Sequence, residues 1–390
     1  MPNNPYTPGQ VPRILAGRTE EMRRIDDLLG RVAAFGEMGG PLLVFHAPRG
    51  VGKTSLLRAS QRRAEAAGFV TSWTACSRDR PVLPEIVHSV GRALEQADAV
   101  PSGPAGNRWR GQLERVTLEV GLPGAKVQAE IGRSEPVTPP PAAVGLLQSL
   151  LHDSATVVRK RGGAGLMILL DELHTASSSD LSVLLNTLQN LDGDREETPI
   201  ATVAAGLPVT PEALTRAATF GERSSFIALD VLSDVDAASA LTDPAAAEGV
   251  EWTPAALSAV VAEAHGYPYL LQLLGSTTWD SARPASGTKL GMPAVRKGLP
   301  AARDQLSAMH RARWGAAGRI EREFLRAMAF CGDGNVTRAD IAAGMGRESR
   351  AISMPRERLI AKGVIEPVGH GLVRFTLPGF GAFVRGLDDA

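Results

Sequence analysis

The chain has 390 residues, 44% of them hydrophobic and 22% charged, with 42 basic and 42 acidic side chains. That composition belongs to a globular protein with enough apolar material for two or three cored domains. The balanced charge excludes nucleic-acid or acidic-lipid binding through bulk charge, and two distant cysteines, Cys76 and Cys331, exclude a disulfide framework or a zinc cluster.

Residues 1–12 are rich in Pro and Asn and lack the apolar stretch of a signal peptide, so they read as a flexible arm. The longest apolar run, Leu166–Leu170, is far shorter than the ~20 residues of a membrane helix, which argues for no membrane partner. With so few cysteines, a reducing cytoplasm is the expected compartment.

Glu20–Ala34 has helical spacing, with Met22, Ile25, Leu28, Leu29 and Val32 on one face. Pro41–His46 follows a Gly-Gly break and reads as a buried strand, Thr54–Ala67 as a helix, Phe69–Ala75 as a strand and Pro84–Ala97 as a helix. Residues 101–141 are rich in Pro and Gly and read as an insertion, in which Leu113–Val120 and Lys126–Ile131 could pair as a hairpin. Helix Ala142–Lys160, strand Leu166–Leu170, helix Leu181–Leu191 and strand Pro199–Ala205 come next. Strands apolar on both faces, alternating with helices, predict an α/β fold with a covered parallel sheet. Beyond about Leu232 the pattern is helical, through Ala237–Leu241, Pro254–Ala264 and Tyr269–Ser276.

Between the first strand and the next helix runs Ala47-Pro48-Arg49-Gly50-Val51-Gly52-Lys53-Thr54, followed by Ser55. It matches the phosphate-loop (P-loop NTPase) pattern except that Ala47 replaces the first glycine. Gly50 and Gly52 let backbone N–H groups turn toward phosphate oxygens, and the following helix points its positive end there. Lys53 adds a cation for the β- and γ-phosphates, and the Thr54 hydroxyl is a hard ligand for Mg²⁺. An ordinary glycine turn with an exposed lysine is the bland alternative. The strand and helix on either side argue against it.

The strand Leu166–Leu170 ends in Asp171-Glu172-Leu173-His174. A buried strand ending in acids calls for a cation opposite. Asp171 suits Mg²⁺, and Glu172 suits the base that activates water. A further cation for the transition state is sought in Arg216 or Arg223, in cis or from a neighbouring subunit, with Arg223 the preferred catalytic candidate. A solvated surface arginine is the alternative for each.

Together these stretches resemble bacterial AAA+/STAND-type ATPases whose ATPase domain is like that of archaeal origin-recognition ATPases. Ala16-Gly17-Arg18-Thr19-Glu20-Glu21 is similar to the family's N-terminal box, which implies that Gly17 and Arg18 lie beside the adenine. His265-Gly266-Tyr267-Pro268 resembles the Gly-x-Pro motif of a helical lid, which implies nucleotide contact by Tyr267 and Pro268. Glycine before and proline after Tyr267 would in any case end one helix and start the next. The segment Ala204–Pro208 lacks the polar sensor residue of many relatives, and the lid motif lacks an arginine, which favours a slow switch over a motor.

Ile320–Phe330, Thr337–Met345 and Ser349–Ala361 read as three helices, and Val364–Val368 with Leu372–Thr376 as a hairpin. This is a winged helix-turn-helix pattern. From Thr337 to Gly386 eight basic residues stand against four acidic ones, with Arg347, Arg350 and Arg358 about the third helix and Arg374 on the wing. These four are the candidates for double-stranded DNA. A protein-docking module is the alternative.

The expected organisation is an arm (1–12), an AAA+-like P-loop domain (13–231), a helical lid (232–315) and a winged-helix domain (316–390). The expected function is an ATP- and Mg²⁺-dependent switch ATPase that couples nucleotide state to DNA. The competing reading is a signalling or assembly switch acting through a homo-oligomer or protein partner.

Overall fold

A computed structural model describes residues 2–100, 110–111, 113–114, 141–369 and 371–387. Most of the stretch read as an insertion, with its expected hairpin, lies outside the described residues. The chain divides into two compact units, Arg18–His46 with Lys53–Leu229, and Met1–Gly17 with Ala47–Gly52 and Asp230–Ala390.

The first unit is built on a five-stranded parallel sheet. In chain order its elements are α1 (Thr19–Phe35), β1 (Leu43–His46), α2 (Lys53–Ala66), β2 (Phe69–Ala75), α3 (Val82–Gln96), α4 (Pro141–Lys160), β3 (Gly165–Asp171), α5 (Ser178–Gly193), β4 (Ile200–Gly206), α6 (Thr210–Ala217) and β5 (Ser225–Ala228). The strand order is β2-β3-β4-β1-β5. All residues of β3 and β4 are buried, as their unbroken apolar runs require of strands covered on both faces. Val44, Ile168, Leu170 and Ala204 pack with α3, α4 and α5 through Ile86, Val90, Leu147, Leu151, Leu184 and Leu188. The alternate residues, including Phe45, Met167, Leu169 and Val203, are as fully buried on the opposite face. There α1 and α2 lie against the sheet. Ser177 caps α5 by accepting from the Asp180 N–H at 3.1 Å.

The second unit contains α7 (Asp234–Ala247), α8 (Pro254–Ala264), α9 (Pro268–Ala282), the long α10 (Met292–Gly315), then α11 (Arg319–Cys331), α12 (Arg338–Gly344), α13 (Ser353–Ala361) and α14 (Phe380–Gly386). Two-residue strands β6 (Glu251–Trp252) and β7 (Lys289–Leu290) pair with each other, and β8 (Val336–Thr337), β9 (Ile365–Gly369) and β10 (Leu372–Phe375) form an antiparallel sheet in the order β8-β10-β9. The Thr337 hydroxyl caps α12 by accepting from the Asp340 N–H, as its position before the helix predicts.

The arm is not loose. Tyr6 is 3% exposed, edge-on to Trp252 and Trp279, and its hydroxyl donates to the Leu241 carbonyl while accepting from Trp252 Nε1. Asn4 donates to Ser276 and Asp280. One large aromatic side chain buried with its hydroxyl satisfied is enough to anchor a polar segment. Composition hid this, because a single tyrosine carries no periodicity. No described helix is long and apolar enough to cross a membrane.

Candidate nucleotide site

Strand β3 carries Asp171 to the carboxyl end of the sheet, where it is 5% exposed. Burial pushes its carboxyl up from the usual carboxylate range, and neighbouring Glu172 adds to this. The Thr54 hydroxyl donates to Asp171 Oδ2 at 2.8 Å, the Glu172 N–H donates to Oδ1 at 2.9 Å, and the Lys53 cation acts in the same downward sense. Lys53 is itself buried and is the first residue of α2, so an ammonium and a helix N-terminus stand together. His46, at the end of β1, is held below the ordinary histidine range by burial and by Lys53. The Cys76 N–H donates to the Asp171 carbonyl, and burial with three nearby carboxylates raises its thiol to about 12. A thiol raised that far stays protonated near neutral pH.

Glu172 adopts φ 54° and ψ 35°, the left-handed region that a non-glycine residue occupies at a cost of roughly 1–3 kcal/mol. Its carbonyl accepts from the Thr175 N–H and hydroxyl, closing a short turn. His174, whose side chain is 1% exposed, places Nε2 3.5 Å from Glu172 Oε2. Its Nδ1 accepts from the Leu207 N–H at 3.3 Å, just past β4. A ring nitrogen that accepts leaves the other to carry the proton, so Nε2–H faces the glutamate. The β4 end has no polar sensor side chain, as the sequence indicates, but its backbone N–H reaches Glu172 through His174. Sequence reasoning gave His174 no role. Its signal was its position, two residues past the acid on the same turn.

The loop 47–52 belongs to the second unit. Gly50 and Gly52 have φ 87° and 98°. A Cβ on Gly50 would lie 2.6 Å from the Tyr267 hydroxyl. That hydroxyl donates to the Arg49 carbonyl, and the Tyr269 N–H donates to the Gly50 carbonyl. Tyr267 is 4% exposed, and burial raises its phenol to about 12, so it remains a donor. It follows Gly266, at φ 69°, where any Cβ would strike the Leu232 carbonyl, and it precedes Pro268 in the first turn of α9. Near the end of α10, Arg313 donates to Thr376 Oγ1 at 2.8 Å, interacts through its charge with the Tyr267 phenol, and feels Arg49 as a like charge. Burial lowers its guanidinium from the ordinary arginine range.

Residues 14–203 match the family described as "AAA ATPase domain". Residues 307–384 match a second family, described as a domain of unknown function, DUF8462. No curated protein matches the chain. Among solved structures, the ORC2 protein of Aeropyrum pernix in its ADPNP–ADP complexes is similar over 100% of this chain and 99% of that one, at 15% identity and a TM-score of 0.58. A Walker-type ATPase of Pyrococcus abyssi is similar over 95% and 96%, at 12% identity and a TM-score of 0.61. At such identities the likeness establishes the fold, an AAA+-like α/β architecture.

The remaining candidate residues lie as follows. Within residues 14–203, Arg18 is buried and ion-paired to Glu21 at 3.4 Å. Gly17 has φ 64° and abuts Asp236 and Leu232, which leave no room for a Cβ. Val51 is buried, and Pro48 and Ser55 are half-buried. Arg216 is exposed and paired to Glu212 at 2.5 Å. Arg223 precedes β5, whose Ser225 is level with Leu43 and, across β4, with Leu169. It therefore lies three strands and about four residues from Asp171, roughly 20 Å by strand geometry. This corrects the cis option for Arg223, because no arginine side chain spans that distance. In the C-terminal module Arg347 pairs with Glu323 at 3.0 Å and Arg374 with Glu366 at 2.5 Å, whereas Arg350 and Arg358 are exposed.

Proposed function

We propose that the chain binds ATP with Mg²⁺, hydrolyses it slowly, and uses nucleotide state to govern a C-terminal winged helix that holds duplex DNA. The observation that carries this reading is the Thr54 hydroxyl on buried Asp171, beside the Lys53 ammonium at a helix N-terminus.

The donor set suits Mg²⁺. Among the described residues no group of three or more His, Cys, Asp or Glu could hold a metal alone. Thr54 and Asp171 offer hard oxygens and leave the remaining positions to phosphate and water, the arrangement Mg²⁺ favours. Bound there, Mg²⁺ supplies charge neutralisation at the β- and γ-phosphate oxygens. Lys53 and the loop N–H groups hold the phosphates in line. The Glu172 carboxylate takes a proton from the attacking water as its oxygen bonds to the γ-phosphorus and the bridging P–O bond breaks. His174 keeps Glu172 turned toward that water. Gly17, Arg18, Tyr267 and Pro268 are assigned to the nucleotide.

The coupling route runs through one unit. Tyr267 donates to the Arg49 carbonyl, the Arg313 guanidinium acts on the Tyr267 phenol through charge, and Arg313 donates to Thr376 Oγ1, so neighbouring groups lead from the phosphate loop to the end of β10. A phosphate that takes up the loop N–H groups turns the same peptide planes whose carbonyls Tyr267 and Tyr269 hold, which biases Arg313 and the C-terminal module. The rival reading, a signalling switch with a protein partner, draws support from the carboxylates that already neutralise Arg347 and Arg374.

The test measures ATP binding with and without Mg²⁺, and duplex anisotropy in ATP and in ADP. The expected result is Mg²⁺-strengthened binding lost in Asp171→Asn, and DNA affinity that depends on nucleotide in wild type but not in Arg313→Ala. Wild-type ATP binding indifferent to Mg²⁺ would overturn the site. DNA affinity identical in both nucleotides, or absent, would overturn the coupling and leave the signalling reading.

A further inference from the structure

Arg223 has a neighbourhood of its own. A cavity of about 720 Å³ opens at the amino end of the sheet, away from Asp171. Its walls carry Arg23, Arg24 and Arg31 from α1, Arg223 from the approach to β5, and a single carboxylate, Asp27. In a chain with equal numbers of acidic and basic residues, four arginines against one aspartate around one hollow is a local concentration of like charge. Surfaces shaped only for solubility intersperse the two signs.

Helical spacing sets the cluster. Arg24, Leu28 and Arg31 fall one turn apart on one face of α1, with Asp27 beside them. Leu28 lines the hollow and packs so near Gly39 that a Cβ there would strike its Cδ1. Gly40 follows at φ 105° with open space where a side chain would be, so bare backbone faces the cavity. The cations differ in their commitments. Arg23 is held by Glu20 and Asp27, each at 2.7 Å, and Arg24 approaches Glu20 at 3.5 Å. Among the described residues Arg31 has no carboxylate partner, and Arg223 contacts only the Phe220 ring, 5.6 Å from its centroid. Thr202 also lines the cavity, is 3% exposed, and its hydroxyl has no hydrogen-bond partner.

We propose that this cavity is a second anion site, separate from the nucleotide site, that takes a compact diphosphate-type ligand, with Arg31 and Arg223 as its principal cations. Guanidinium groups present paired N–H donors that match phosphate oxygens two at a time. The volume lies within the range of small-ligand sites. A diphosphate suits it better than a monophosphate, because Arg31 and Arg223 come from different elements and a two-centred anion can engage both. The site does not depend on the nucleotide reading, and each can fail without the other.

The probe is inorganic pyrophosphate, titrated calorimetrically into the full chain carrying Lys53→Ala, which removes the phosphate-loop cation. Saturable binding at one per chain is expected, weakened about tenfold or more by adding Arg31→Ala or Arg223→Ala, since each removes a charge-assisted contact. Both arginines are exposed, so the substitutions leave the fold intact, and circular dichroism checks this. Charge reversal, Arg31→Glu, should abolish the heat. Absence of binding in the Lys53→Ala chain, or binding unmoved by all three arginine substitutions, would overturn the second site.

Discussion

The carboxyl end of the parallel sheet and the C-terminal module both carry charged residues, but hold them differently. At the sheet, Asp171 and Lys53 are each 5% exposed, and Glu172 and His174 are fixed by a strained turn and by the Leu207 N–H. In the module the arginines lie at the surface, and two of the four candidates already face carboxylates. Burying a charge is costly unless a specific partner compensates it. The sheet end is therefore organised for one chemistry, whereas the module's surface charge can change partners cheaply.

The largest effect should come from breaking the buried set. Lys53→Ala is expected to weaken ATP binding about a hundredfold, because it removes a charge-assisted contact from a water-poor site. Calorimetry showing near-wild-type affinity would dissolve the contrast. Glu172→Gln should leave ATP bound while lowering hydrolysis about 10²–10⁴-fold, since the amide keeps the shape but cannot take a proton. Phosphate release at the wild-type rate would remove Glu172 as the base. His174→Ala should lower hydrolysis by roughly three- to tenfold, the worth of one hydrogen bond, with ATP affinity unchanged. A parallel loss of affinity would make His174 a packing residue.

The same contrast explains what was legible in the sequence. Strands β3 and β4 could be read because unbroken apolar runs of that length, buried throughout, have few alternative explanations. The start of α13 lies four residues later than the spacing predicts, at Ser353, because residues 349–352 form a turn in which the Ala351 N–H donates to the Glu348 carbonyl. Tyr6 and His174 were missed because each acts through residues distant in sequence or through backbone groups, which leave no periodic trace. Arg223 was legible as a residue but not as a location, because its level in the sheet is fixed by strand register.

The smallest effect concerns the module. If the module holds DNA, the arginines free to release counterions from it are Arg350 and Arg358, whose exposure contrasts with the paired Arg347 and Arg374. Replacing both with Ala should weaken binding about evenly across sequences and flatten the slope of log affinity against log salt by roughly one unit per arginine replaced. Replacing Arg347 and Arg374 should change that slope less, because each must first leave a carboxylate at 3.0 or 2.5 Å. The two double variants, measured by anisotropy on one random duplex at several salt concentrations, turn the comparison of paired and unpaired cations into numbers. Equal slopes for both would mean that the ion pairs open freely and do not set which arginines meet phosphate. Flat curves for the wild type would assign the exposed arginines to a protein partner, and the surface of α13 would then be read as a docking face rather than a groove reader.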